Sequence, residues 1–203
     1  MRFSTLFTAL AVVATGVTAT EFSSSSITSA LSLTAANCYG APIPPWETGH
    51  YPGWYYGQGT PPSGVLCLVN QLLCELLELL PLCLQCPKPP PTPPPHTPPP
   101  SPEYTQPFYN QTCATQDNNY LTYGLVDTVA DCQAMCDTVA TCTFVNTYHD
   151  VNGKDGSTQL TCALFSKCLT AASNDNCGEQ SQPDGSVDYI TNSDGYCKKT
   201  PTA

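Results

Sequence analysis

Thirteen cysteines are spread unevenly along this chain, and their placement constrains the fold more than any other feature. Eight lie beyond Tyr104 and five lie before Pro87, with none between. Cysteine at this density marks a disulfide framework formed in an oxidising compartment rather than a reduced cytosolic enzyme. Eight is even and can close on itself as four bridges. Five is odd, so one thiol before Pro87 is expected to stay unpaired. Cys38, which stands apart from the group Cys67, Cys74, Cys83 and Cys86, is the candidate.

Proline divides the chain between these two sets. Residues 87–107 hold 12 of the 21 prolines, with Thr92, Thr97, Ser101 and Thr105 among them. Such a run cannot build a helix or a central strand and favours extended polyproline II, so it reads as a linker. Its hydroxyl residues suit O-glycosylation. At the start, Met1-Arg2 precedes an uncharged apolar stretch over residues 6–17 and the small residues Val17-Thr18-Ala19. That is the pattern of a secretory signal peptide, residues 1–19, cleaved after Ala19. The stretch is too short for a membrane anchor, which needs ~20 apolar residues. The expectation is a secreted chain with no transmembrane span, and the sequon Asn110-Gln111-Thr112 is its candidate N-glycosylation site.

Charge removes one class of partner. The chain has 6 Lys+Arg against 16 Asp+Glu, a net charge of −10, and nothing that could neutralise a run of phosphates. Nucleic acid is therefore not an expected partner.

Residues 20–86 form a cysteine-rich region that opens with serines and threonines and continues through Trp46 and Trp54-Tyr55-Tyr56. Those aromatics either stack on sugar rings or sit in a loosely ordered tether dense in Gly and Pro. Residues 65–80 read as a helix ended by Pro81. Gln71, Glu75 and Glu78 make a narrow polar stripe at i, i+4 and i+7 on an otherwise apolar cylinder. Such a helix needs burial: in a disulfide-stapled hairpin, against another copy, or by surface and membrane association, although its acidic stripe and short length disfavour a span. Cys83-x-x-Cys86 has no second pair or nearby His, so a structural disulfide is expected there rather than a metal half-site. The absence of adjacent Cys-Cys pairs sets the chain apart from the cysteine-rich apolar fungal coat proteins.

Residues 108–203 have ordinary globular composition. Thr128-Val129-Ala130-Asp131 is a capping-box-like start to a helix running to about Asp137, with Val129, Cys132 and Cys136 on one face. Strands are expected over 142–148, 160–166 and 186–191, with Asn152-Gly153 and Asp155-Gly156 as turn residues.

The string Cys132-x3-Cys136-x5-Cys142-x-Phe144, followed by Cys162-x-Leu164, resembles the core of PAN/apple domains. The resemblance covers about half the chain. It implies an α+β, disulfide-rich fold in which one helix packs on an antiparallel sheet, following the proline-rich linker and a partly helical or disordered amino-terminal region. It also implies the pairs Cys132–Cys162 and Cys136–Cys142, and Cys113–Cys197 as in the apple branch, which leaves Cys168 and Cys177 to close a local loop. Eight cysteines allow 105 pairings, so spacing alone does not choose among them. The 19 residues between Cys142 and Cys162 exceed the family's usual hairpin connection. The stretches Asn146-Thr-Tyr148, Asn152-Gly-Lys154, Leu160-Thr-Cys-Ala-Leu-Phe165, Gln182-Pro-Asp-Gly-Ser186, Asp188-Tyr-Ile190 and Gly195-Tyr-Cys-Lys-Lys199 look like those of secreted basidiomycete fruit-body-specific proteins. That likeness implies a fungal extracellular or cell-wall setting.

Catalytic readings find little support. Asp150-Val-Asn152-Gly-Lys154-Asp155-Gly156 lacks the oxygen ligand and terminal acid of a calcium loop and reads as a hairpin turn. His149 has no hydrolase or zinc partner motif. The acids of residues 103–203 are mostly Asp at turns and helix ends, where capping is their usual role. The expected protein is not an enzyme and needs no cofactor or metal. Its expected partner is a cell-wall polysaccharide or an extracellular protein. The candidate ligand surface joins Tyr148, Asp150, Asn152 and Asp155 to Gln182, Asp184 and Tyr189, whose amides, acids and rings suit sugar hydroxyls. The alternative is a structural wall or matrix protein that self-associates or crosslinks as a homo-oligomer through residues 20–86.

Overall fold

The computed structural model describes residues 24–88, 103–153, 157–181 and 184–199. The expected signal peptide at 1–19 and most of the expected proline-rich linker lie outside them.

The chain is α+β and dominated by one sheet. Helix α1 (Ser24–Ser32) leads through a kinked turn at Ala35–Gly40 to a two-residue strand, β1 (Tyr55–Tyr56), and then to helix α2 (Gln71–Glu78). Strands β2 (Tyr104–Gln111) and β3 (Tyr120–Val126) precede helix α3 (Val129–Thr138). Strands β4 (Phe144–Val151), β5 (Leu160–Phe165), β6 (Gly178–Ser181) and β7 (Val187–Lys198) follow. The sheet order is β1-β3-β5-β4-β7-β2, with β6 also paired to β7. All pairings are antiparallel except β1 with β3.

Helix α3 begins where its capping box predicts. Thr128 Oγ1 accepts from Asp131 N at 3.2 Å, and Asp131 Oδ2 accepts from Thr128 N at 3.0 Å. Its buried face, Cys132, Met135 and Cys136, packs with Val145, Cys162 and Leu164 of the sheet. At the far end Lys198 Nζ reaches Asp137 Oδ1 at 2.6 Å, and Tyr104 Oη lies 2.9 Å from the same oxygen. The opposite sheet face is covered by loops: Trp46 stacks on Phe165 and meets Tyr120 edge-on, beside Phe108, Phe144 and Leu169.

The expected helix over 65–80 is shorter, running only Gln71–Glu78. Upstream the chain is extended, with Tyr55 N donating to Leu66 O at 2.9 Å and Leu68 N to Tyr55 O at 2.8 Å. Asn70 starts the helix by accepting from Leu73 N through its side chain. Gln85 closes it, its Nε2 lying 2.9 Å from Leu77 O and 3.0 Å from Leu80 O. Backbone groups of 65–68 thus find sheet-like partners around Tyr55, which wins over the helical apolar pattern.

Residues 20–86 are no loose tether where they are described. Gly53 N donates to Tyr123 O, Leu125 N to Trp54 O, and Tyr55 and Tyr56 lie in register with Leu125 and Val126. Trp54 is fully buried, its indole Nε1 donating to Thr122 Oγ1 at 3.1 Å. Asp127 closes the junction by accepting from Tyr55 Oη at 2.6 Å, Gln58 N at 2.5 Å and Gly59 N at 3.1 Å. The last four residues of the expected linker, 104–107, belong to β2. Pro107 is tolerated there because β2 is an edge strand, where a missing N–H costs no ladder bond.

Five disulfides staple this fold. Cys132–Cys162 and Cys136–Cys142 pin α3 to the sheet. The other two carboxyl-terminal bonds exchange the expected partners: Cys113 joins Cys177, and Cys168 joins Cys197. Antiparallel pairing explains the exchange. β2 and β7 run in opposite directions with Thr105 opposite Cys197 and Gln111 opposite Ser193, so Cys113 leaves the sheet at the far end from Cys197. A bridge between Ala114 and Asn176 brings Cys113 beside Cys177 instead. Phe144 is opposite both Phe165 and Cys197, which sets Cys168, three residues past Phe165, beside Cys197.

Before the proline run, two thiols besides Cys38 are unpaired. Cys74 pairs with Cys86, and Cys38, Cys67 and Cys83 are all unpaired. Cys83-x-x-Cys86 does not close on itself. Cys83 and Leu84 lie extended against Thr34 and Leu33. Three extended residues span ~10 Å, beyond the ~7 Å limit for bridged Cα atoms.

Candidate functional site

Strand alternation decides which side chains of the expected ligand surface reach solvent. Tyr148 and Asp150 share a face of β4 with Phe144 and Asn146, and that face is covered. Tyr148 packs on Ala114 and Ile190 and is fully buried; its hydroxyl has no hydrogen-bond partner among the described residues. Burial holds its ionisation well above the ordinary tyrosine range. Asp150 is buried as well, with the backbone of Gly153 against its carboxylate. Neither belongs to a binding surface. Asp155 and Gln182 lie outside the described residues.

Asn152, Asp184 and Tyr189 are exposed. The turn after β4 and the start of β7 meet directly: Val151 is opposite Tyr189, and Asn152 Nδ2 donates to Val187 O at 3.0 Å. Asn152 takes a left-handed φ of 66°, as its place in the turn before a glycine predicts. Asp184 organises the β6–β7 turn. Its Oδ1 accepts from Ser186 N at 2.9 Å and Ser186 Oγ at 2.7 Å, and these bonds hold its carboxyl below the usual range.

These residues border a surface that the sequence did not outline. On the α3 side of the sheet, Val145 and Thr147 are buried. Beyond them the same face continues as His149 and Val151 on β4 and as Val187, Tyr189 and Thr191 on β7. Here the cover ends: Val187 is 50% and Tyr189 49% exposed. His149 is opposite Thr191 across the ladder. The result is a flat strip with one aromatic ring, two valines, a histidine and a threonine, rimmed by Asn152 and Asp184. Tyr189 was singled out in the sequence; the valines became legible only when the register placed them beside it.

Buried polar groups hold this strip in place from behind. Asn146 Oδ1 accepts from Thr115 N at 2.8 Å, and its Nδ2 donates toward Ser193 Oγ and Asp194 O, both at 2.9 Å. Asp188 Oδ1 accepts from Gln180 N, tying β6 to β7. On the covered face, His50 Nδ1 and Tyr123 Oη lie 3.0 Å apart.

Other chemistry-bearing groups do not assemble. Among the described residues no three His, Cys, Asp or Glu side chains form a metal-holding group. Trp46 and Trp54, the sequence's candidates for sugar stacking, are engaged in the core. Leu79 and Leu82, by contrast, stand 78% and 83% exposed beside α2. No helix among the described residues is long and apolar enough to cross a membrane. Compared with known proteins, the chain matches no family model, no curated protein and no solved structure.

Proposed function

We propose that the protein is a secreted, non-catalytic recognition module of PAN/apple-like type that binds carbohydrate or protein in a fungal cell wall or extracellular matrix. The observation that carries this reading is the half-exposed pair Val187 and Tyr189 on a sheet face where α3 no longer provides cover. A tyrosine face supplies apolar contact for sugar C–H groups or a partner's side chain, and the neighbouring Asn152 and Asp184 supply polar partners. Five disulfides suit an extracellular setting, and the helix laid across an antiparallel sheet suits the PAN/apple assignment.

The test is retention of the whole secreted chain on chitin, β-glucan and a glycan array. The fragment 104–203 is not a fair substitute, because Trp54 and β1 complete the sheet. Binding to a wall polysaccharide supports the carbohydrate version. No retention on any of them, with circular dichroism confirming the fold, defeats it and leaves protein partners.

A second reading has its own observation. Leu79 and Leu82 expose large apolar side chains, Leu82 next to the unpaired Cys83, in a region that holds three unpaired thiols, as a structural protein that self-associates through residues 20–86 would. Under this reading, non-reducing gels show a disulfide-linked oligomer. A monomer at high concentration counts against it.

A further inference from the structure

Asn110 occupies an unusual place. It lies in β2, the terminal strand of the sheet, at a register irregularity between Phe108 and Gln111, and its φ is +50°. Two bonds fix it there. Its backbone N–H donates to Asp194 Oδ1 at 2.7 Å, and its side-chain Oδ1 accepts from Asn192 Nδ2 at 3.0 Å. The amide is thereby oriented with its oxygen toward β7, and its Nδ2 has no partner among the described residues. Thr112, two positions on, is exposed, and the intervening Gln111 is not proline. On the other side Tyr109 holds its ring 68% exposed.

We propose that Asn110 carries an N-linked glycan, and that this glycan covers the ring of Tyr109 and the open edge of β2. The geometry supplies what the transfer needs: an exposed amide nitrogen held in one orientation, with the threonine hydroxyl two residues away. In the transfer, Nδ2 bonds to the anomeric carbon of an oligosaccharide donated from a lipid pyrophosphate. The bond between that carbon and the pyrophosphate oxygen breaks, the lipid pyrophosphate leaves, and the nitrogen gives up one proton.

Covering the edge answers a physical need. A terminal strand presents unpaired N–H and C=O groups that invite pairing with another chain. Pro107 and the irregularity between Thr105 and Phe108 blunt this edge near its start. Tyr109 and Asn110 fall in the second irregularity, between Phe108 and Gln111, where the ring of Tyr109 stays exposed, and a glycan rooted at Asn110 stands over it.

The inference rests on entry into the secretory pathway, and the experiment separates the two. Residues 20–203 are expressed in yeast behind the host's own leader, alongside the chain with its native start. The intact mass of the leader-fused protein should fall by one glycan on treatment with peptide N-glycanase. Asn110→Gln and Thr112→Ala should run at the deglycosylated mass, and Thr112→Ser should keep the glycan. An unmodified Asn110 in the leader-fused protein overturns the site. Failure of the native-start chain alone to be secreted overturns only the secretion reading. For the covering role, nitration of Tyr109 by tetranitromethane is read by peptide mass. It should rise several-fold in Asn110→Gln, and equal nitration with and without the glycan overturns that part.

Discussion

Trp54 and Gly124 depend on each other. A Cβ on Gly124 would come within 2.2 Å of Cδ2 and Cε3 of the Trp54 indole, so the ring lies where only glycine leaves room. Gly124 sits in the middle of β3, opposite Cys162, where glycine ordinarily weakens a strand. The compensation is burial of a whole indole from a segment 70 positions upstream, with its Nε1 satisfied by Thr122.

Gly124→Ala should therefore destabilise by at least ~2 kcal/mol through overpacking. Trp54→Ala should cost ~3–5 kcal/mol as a large-to-small core change. Urea unfolding followed by tryptophan emission and by far-ultraviolet circular dichroism checks both. The two probes should report one coincident transition, because residues 53–56 belong to the same sheet. A separate early transition of the indole signal would show that the amino-terminal region is an independent unit.

Asp127 gives the junction a pH dependence. Its carboxyl is held below the usual range first by the Tyr55 hydroxyl and then by the N–H groups of Gln58 and Gly59. A depressed carboxyl contributes stability that is present above its unfolded value, ~4, and is lost as pH falls through its folded value. Asp127→Asn should cost ~1 kcal/mol at pH 7, discounted for solvent exposure, and should flatten the acid limb of a melting-temperature profile. Tyr55 acts at the other end. Burial, then the bond to Asp127, pushes its hydroxyl up to about 12, so its contribution is present below ~10 and is lost as pH rises toward that value. An alkaline limb beginning above pH 10 should shrink in Tyr55→Phe.

The disulfide map should show Cys113–Cys177 and Cys168–Cys197 rather than the apple-type closure of the two ends. Peptide mapping without reduction reads this directly. Denaturation without reduction should release three alkylatable thiols, Cys38, Cys67 and Cys83. In the native protein Cys83 should react slowest, because it alone of the three is buried. Replacing Cys132 and Cys162 together by Ala should cost ~2–5 kcal/mol, since that bond ties α3 to the centre of the sheet.

Tyr189→Ala should leave the melting temperature within about 2 °C, as a surface substitution away from caps and cores. It should weaken retention on whichever ligand the whole chain binds by at least tenfold. Unchanged retention would move the site away from the strip.

The elements that were legible in the sequence are those set by local rules. The start of α3 follows from Thr128 and Asp131, three residues apart. β4 follows from the alternating stretch over 142–148, and the turn at Asn152 follows from its neighbour Gly153. The strands that escaped notice lack such marks. β2 carries a proline and two irregularities, β3 a glycine in its middle, and β6 only four residues. The continuation of β7 through Asn192-Ser193-Asp194-Gly195 looks like a loop, yet Asn192 absorbs an irregularity at φ +53° and Asn146 anchors it from β4.

The sequence by itself determined the disulfide-rich class, the acidic balance, the helix cap and the sequon. These rest on composition or on residues within a few positions of one another. Tertiary structure alone decided which cysteines meet, which of Tyr148 and Tyr189 is buried, and that Trp54 belongs to the sheet. Each of these depends on strand order and register. An antiparallel neighbour reverses which ends of two strands are close, and a step of one residue turns a side chain from solvent to core.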